Sequence, residues 1–152
     1  MSTNLKRLYT AIKMREKRIF VEPEENGLRR ITAEMTDEFH HIQIHMWVED
    51  QRLKIIKIHL DMRKYPEPTC IKCEPNLQKL VGTSLQHPNF RHRLLRTVGG
   101  ERGCFHVLEL LHEVQDYSRA YLWDQRPDEG GHYKISTVSQ EGKVRCIAFK
   151  KG

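Results

Sequence analysis

The 152-residue sequence contains no run of ~18 apolar residues, so nothing in it reads as a membrane-spanning helix. Its first twenty residues, Met1 to Phe20, lack the continuous apolar stretch of a secretory signal and are basic instead. It carries no glycine-rich phosphate loop, no GxSxG elbow and no HExxH pair, which removes Walker-type nucleotide binding, serine hydrolysis and zincin chemistry. Internal repeats and low-complexity stretches are absent. Cysteine is sparse: four residues, without a secretion signal, argue against a disulfide scaffold and for a reducing, cytoplasmic setting, where thiols are buried, catalytic or metal-bound.

What is present fits one domain. Hydrophobic residues are 38% and charged residues 30%, enough for a core under a highly charged surface. The formal net charge of +6 permits an acidic partner such as nucleic acid but does not demand one, since solvated lysines and arginines account for it equally well.

Periodicity divides the chain. Residues 1–22 read as a basic amphipathic helix or arm, with Leu5, Leu8 and Ile12 at helical spacing among lysines and arginines. Residues 28–152 read as a single α+β domain. Three strands are expected first, at about 28–36, 41–49 and 53–60; in the second, Ile42, Ile44, Met46 and Val48 alternate with His41, Gln43, His45 and Trp47. The apolar set predicts the buried face, and the histidines mark the other. Pro66 and Pro68 interrupt the chain. Helices are then expected from Pro75 to about Ser84 with Leu77, Leu80 and Val81 inward, from Pro88 to Val98 before Gly99-Gly100, and from Cys104 to about Trp123. Tyr133–Val138 and Lys143–Phe149 suggest a C-terminal hairpin, with Cys146 in its core. The expected fold is an antiparallel sheet of about three strands covered on one face by helices, plus that hairpin.

The chemistry concentrates in four residues. Cys70-x-x-Cys73 has the spacing of a metal-binding thiol pair, and Cys104 and His106, 31 and 33 residues after Cys73, are the candidate remaining ligands of one zinc or iron site. Cys104 also opens a predicted helix, where unpaired N–H groups favour a thiolate, so Cys104 with His106 is equally a candidate nucleophile–base pair. His106, Glu109 and Glu113 share a helix face, a spacing found in carboxylate metal sites and, more often, on solvated surfaces. Whether the protein is an enzyme stays open at this level. The main reading is a cytoplasmic metal-binding protein, a scaffold or accessory subunit with a protein partner or larger assembly; the alternatives are a thiol enzyme and a non-catalytic interaction module using its basic arm, with nucleic acid not favoured as the partner.

Two resemblances sharpen this. Pro66-x-x-x-Cys70, Leu77-x-x-Leu80-Val81-Gly82 and Gly103-Cys104-Phe105-His106-Val107-Leu108-Glu109-Leu110-Leu111 resemble an uncharacterised bacterial family with a GC-x-H-[LV]-x-E-L-L signature, over about residues 28–125. More distantly, the order of elements is similar to the iron–sulfur cluster scaffolds of the NifU N-terminal and IscU type. That resemblance implies a three-stranded antiparallel sheet, a cysteine after its third strand (Cys70 or Cys73) and a ligand pair opening a long helix (Cys104 with His106). The scaffold's first cysteine has no counterpart; Asp37, His40 and His41 stand nearest its place.

Overall fold

The computed structural model describes residues 13–49 and 51–121. It is mixed α+β: an open antiparallel meander of four strands, with helices packed on one face. The strands are β1 (Glu16–Pro23), β2 (Leu28–Thr36), β3 (His41–Glu49) and β4 (Ile55–Lys64), hydrogen-bonded in chain order. The helices are α1 (Glu74–Leu77), α2 (Phe90–Val98) and α3 (Phe105–Tyr121).

The count of four corrects the expected three. The extra strand comes from the segment read as a basic helix or arm, whose end pairs with β2 from Glu16↔Thr36 to Pro23↔Arg29. Local alternation explains it: Lys17, Ile19 and Val21 turn toward the helices while Glu16, Arg18 and Phe20 point away, a period of two carried partly by β-branched residues. Residues 1–12 lie outside the described residues, as do the expected C-terminal hairpin and Cys146.

The alternation read in β3 holds. Ile42, Ile44, Met46 and Val48 are buried, and they stand beside Ile31, Ala33 and Met35 of β2 and Ile55, Ile58 and Leu60 of β4. In β4 the pairing shifts between Trp47 and Val48, a bulge that turns Ile56 outward at 42% exposure and lets both Ile55 and Ile58 reach the core. Onto this apolar face pack Leu77 of α1, Phe90, Leu94 and Val98 of α2, and Val107, Leu110, Leu111 and Val114 of α3. The opposite face carries His41, Gln43, His45 and Trp47 from β3 and His59 from β4.

The segment after β4 is more broken than its sequence suggests. Instead of one helix to Ser84, two stretches of 3₁₀ turn, Pro68–Cys73 and Gln78–Leu80, flank the four-residue α1. Val81, expected inward, is 40% exposed, because the last of these turns ends before it. No helix among the described residues is long and apolar enough to cross a membrane.

Candidate functional site

Three segments meet at one end of the sheet: the β2–β3 turn, the Pro68–Cys73 stretch and the start of α3. The turn is organised by Asp37. Its Oδ1 accepts the backbone N–H groups of Phe39 and His40, each at 2.8 Å, and Nδ1 of His40 at 2.8 Å. Its Oδ2 accepts Nε and Nη2 of Arg15 at 2.9 and 2.7 Å. Partial burial would push this carboxyl up, but the donors from His40, Phe39 and Arg15 outweigh it and hold it far below the usual carboxylate range. Because Asp37 is an ionised acceptor, Nδ1 of His40 carries a proton and donates it to Oδ1.

The rings of His40 and His106 approach edge to face, with centroids 4.2 Å apart. His106 occupies the first turn of α3. Its Nδ1 is buried without a hydrogen-bond partner, and so is Oε2 of Glu109, 4.0 Å away. Nη1 of Arg15 stands 3.9 Å from the same Glu109 oxygen, so this carboxylate has a cation on one side and the imidazole on the other. Burial first, then the charges of His40 and Arg15, lower the His106 pKa, so the ring is neutral and its lone pair accessible near neutral pH. Glu109 is held ionised chiefly by Lys17, whose Nζ stands 2.6 Å from Oε1 and 2.7 Å from Glu113.

The thiols form a second group, linked to the pair through Cys104, two residues before His106. Cys73 is 4% exposed within the core, and Cys104 packs partly buried against the same cluster. Burial, then the proximity of Cys104 and Cys70, pushes the Cys73 thiol up to about 11. A 3₁₀ stretch places residues i and i+3 on one side, which carries Cys70 and Cys73 together. Asn76 Nδ2 donates to the carbonyl of Arg102 at 2.6 Å and ties the two cysteine-bearing segments to each other. Cys104 immediately precedes α3, and its carbonyl accepts the first intrahelical bond, from Leu108 N–H at 3.0 Å.

Gly103, just before it, is held by a close approach. A Cβ there would overlap the Val98 carbonyl at the end of α2, so only glycine lets Cys104 and His106 sit this near α2.

Of the four residues singled out in the sequence, Cys73 has Cys104 and Cys70 among its neighbours, and His106 faces His40. Among the described residues no three His, Cys, Asp or Glu side chains converge as one metal-ion cage, and no hydrogen bond joins a cysteine sulfur to an imidazole. Cys104 and His106 therefore do not form a hydrogen-bonded nucleophile–base pair. Sequence reasoning placed Asp37 and His40 only as neighbours of a missing cysteine. The signal for their role was local: an Asp three residues before a His, at the mouth of a tight turn, is positioned both to cap the turn and to orient the ring.

Comparison with curated proteins and with solved structures finds no match. Residues 14–119, which run from the residues leading into β1 almost to the end of α3, match the model described as "Protein of unknown function (DUF2889)", and the chain belongs to that family.

Proposed function

We propose that this chain is a cytoplasmic metal-binding thiol–imidazole protein, acting as a scaffold or accessory subunit of a larger assembly. The observation that carries the reading is the line Asp37–His40–His106. A buried carboxylate fixes the proton of one imidazole on Nδ1, and a second imidazole 4.2 Å away presents a bare, buried Nδ1. Carboxylate-oriented histidines are the usual outer support of protein metal sites.

The donor set fits a zinc or iron ion, and by its thiols an iron–sulfur unit: imidazole nitrogen from His40 and His106, thiolate from Cys104, Cys73 and Cys70. These donors are neighbours rather than a closed cage, so ligation draws the thiol side chains in by rotation, and a metal so bound stabilises the fold. The order of the donor-bearing segments also supports a likeness to the IscU-type scaffolds: a turn between strands, a stretch after the last strand and a helix start. His40 and Asp37 would then stand where those scaffolds place their first cysteine.

Metal analysis of anaerobically purified protein without a histidine tag tests the reading. Wild type is expected to retain zinc or iron, and His106→Asn and Cys104→Ser to lose most of it, while Cys146→Ser keeps it. Equal, near-zero metal in all four proteins overturns the proposal.

A further inference from the structure

We propose that His45 and His59, on the face of the sheet opposite the helices, form a separate two-imidazole clamp for a borderline divalent cation such as Ni²⁺, Cu²⁺ or Zn²⁺. The two residues are direct partners across β3 and β4. Their rings are nearly parallel, 18° apart in plane, with centroids 6.4 Å apart. Residues opposed on neighbouring antiparallel strands hold their Cβ atoms about 5 Å apart, so the sheet keeps both imidazoles on one spot without ordering any loop.

The second observation concerns which nitrogen is free. Nδ1 of His45 lies 3.3 Å from the Thr32 hydroxyl oxygen, and Nδ1 of His59 lies 3.2 Å from Oε1 of Glu74. The Thr32 hydroxyl can donate to Nδ1 of His45 as well as accept from it, and Glu74 is an ion-pair neighbour of Nδ1 of His59; with an oxygen beside each Nδ1, Nε2 is the nitrogen a shared ion would take. Burial, then the neighbouring His59, holds His45 below the ordinary imidazole pKa, so a proton competes poorly for it. His59 is the mobile half: its side chain is 54% exposed, and rotation of that ring brings its Nε2 toward His45. With no thiol on this face among the described residues, the pair selects ions that accept imidazole nitrogen and water. Asp61 favours a cation here, while Arg30 and Arg63 oppose one, which makes the clamp weaker than a buried cage.

Trp47 reports on the site, since its ring centroid is 6.4 Å from that of His45. The test is a Ni²⁺ titration of the intact, tag-free chain followed by tryptophan fluorescence near neutral pH. Saturable quenching that EDTA reverses is expected, and Trp47→Phe should abolish it. His45→Gln and His59→Gln should each move the midpoint at least tenfold, and His106→Gln should leave it in place. A midpoint unchanged in His59→Gln, or shifted equally by His106→Gln, overturns the clamp. Thiolate-to-nickel charge-transfer absorption in the same titration reads the thiol–imidazole site independently: its absence counts against that site and leaves the clamp standing.

Discussion

Removal of Asp37 should cost the protein more than removal of its charge. In Asp37→Ala, the N–H groups of Phe39 and His40 lose their acceptor, His40 loses the oxygen that orients it, and Arg15 loses two bonds. The Asp37 side chain is only 10% exposed, so water does not simply replace these bonds. A hydrogen bond to a charged group is worth about 1.5–3 kcal/mol. The Arg15 bonds count for less, because that side chain is over a third exposed. Shared loss across one turn is not additive, and about 3 kcal/mol is a reasonable total. For a chain of this size that corresponds to a drop in Tm on the order of 10 °C. Asp37→Asn keeps an oxygen at the Oδ1 position to accept the two backbone N–H groups and loses only the ionic part, so about 1 kcal/mol is expected. Thermal melts of both variants by circular dichroism at neutral pH decide the matter. If Asp37→Ala melts with wild type, the turn does not depend on this carboxylate. If Asp37→Asn falls as far as Asp37→Ala, charge rather than acceptor geometry holds the turn.

Alkylation of the unfolded chain and of the native protein at pH 8 should show Cys73 as the slowest native thiol, because burial pushes it up to about 11; rapid labelling of Cys73 at pH 8 contradicts the packing of the cysteine cluster. Gly103→Ala should destabilise by about 2 kcal/mol or more, since a Cβ overlaps the Val98 carbonyl and the α2–α3 junction must shift; an unchanged melt shows that the junction is loose. Phe90→Ala, which empties a fully buried site between helix and sheet, should cost roughly 3–5 kcal/mol in a denaturant titration, and a loss under 1 kcal/mol would show that the core collapses around it. Acid should destabilise the wild type in two steps. His106 has a folded pKa below its unfolded value, so its contribution is complete above the ordinary imidazole pKa and falls away as pH drops through the lowered one; that of Asp37 is complete above the ordinary carboxyl pKa and is lost only in stronger acid. His45 and His112 are lowered in the same direction, so His106→Asn should shrink the first step, and a profile identical to wild type refutes its contribution.

Much of the fold was legible because one periodicity dominated each segment. In β3 four apolar residues alternate with polar ones, and a slip of one would have exposed all of them, so the buried face was never in doubt. The α3 stripe of Leu108, Leu111, Val114 and Ser118 is equally unambiguous and is buried as expected. β1 was not legible, because Leu5, Leu8 and Ile12 suggested a helix that swallowed the strand-like Ile19–Val21 pattern behind it. A sheet edge is also specified by its neighbour: β1 exists because β2 offers it a full row of partners. The broken stretch after β4 was misread for a related reason, since Leu77 and Leu80 satisfy a 3₁₀ turn as readily as an α-helical one.

The site was legible in its residue types and not in its grouping. Cys70, Cys73 and Cys104 were linked by spacing alone; Cys73 does have Cys104 and Cys70 among its neighbours, but the described residues form no group of three ligands. His106 was grouped with them, but its nearest ring is that of His40, which reaches it from a turn some sixty-six positions earlier in the chain. No local pattern encodes such a contact; it follows from β2 and β3 being paired and from α3 packing across β2. The misread β1 then completes the site. Lys17 points inward from that edge strand, a placement that blunts edge pairing, and it neutralises Glu109 and Glu113 on the face of α3 that bears His106. Arg15, just before β1, does the same for Asp37. Arg15 and Lys17 thus supply the countercharge for Asp37 and Glu109 beside the two imidazoles. A partner that needed Arg15 or Lys17 would have to take them from the site itself, so the basic start of the family domain belongs to the site rather than to an independent gripping arm.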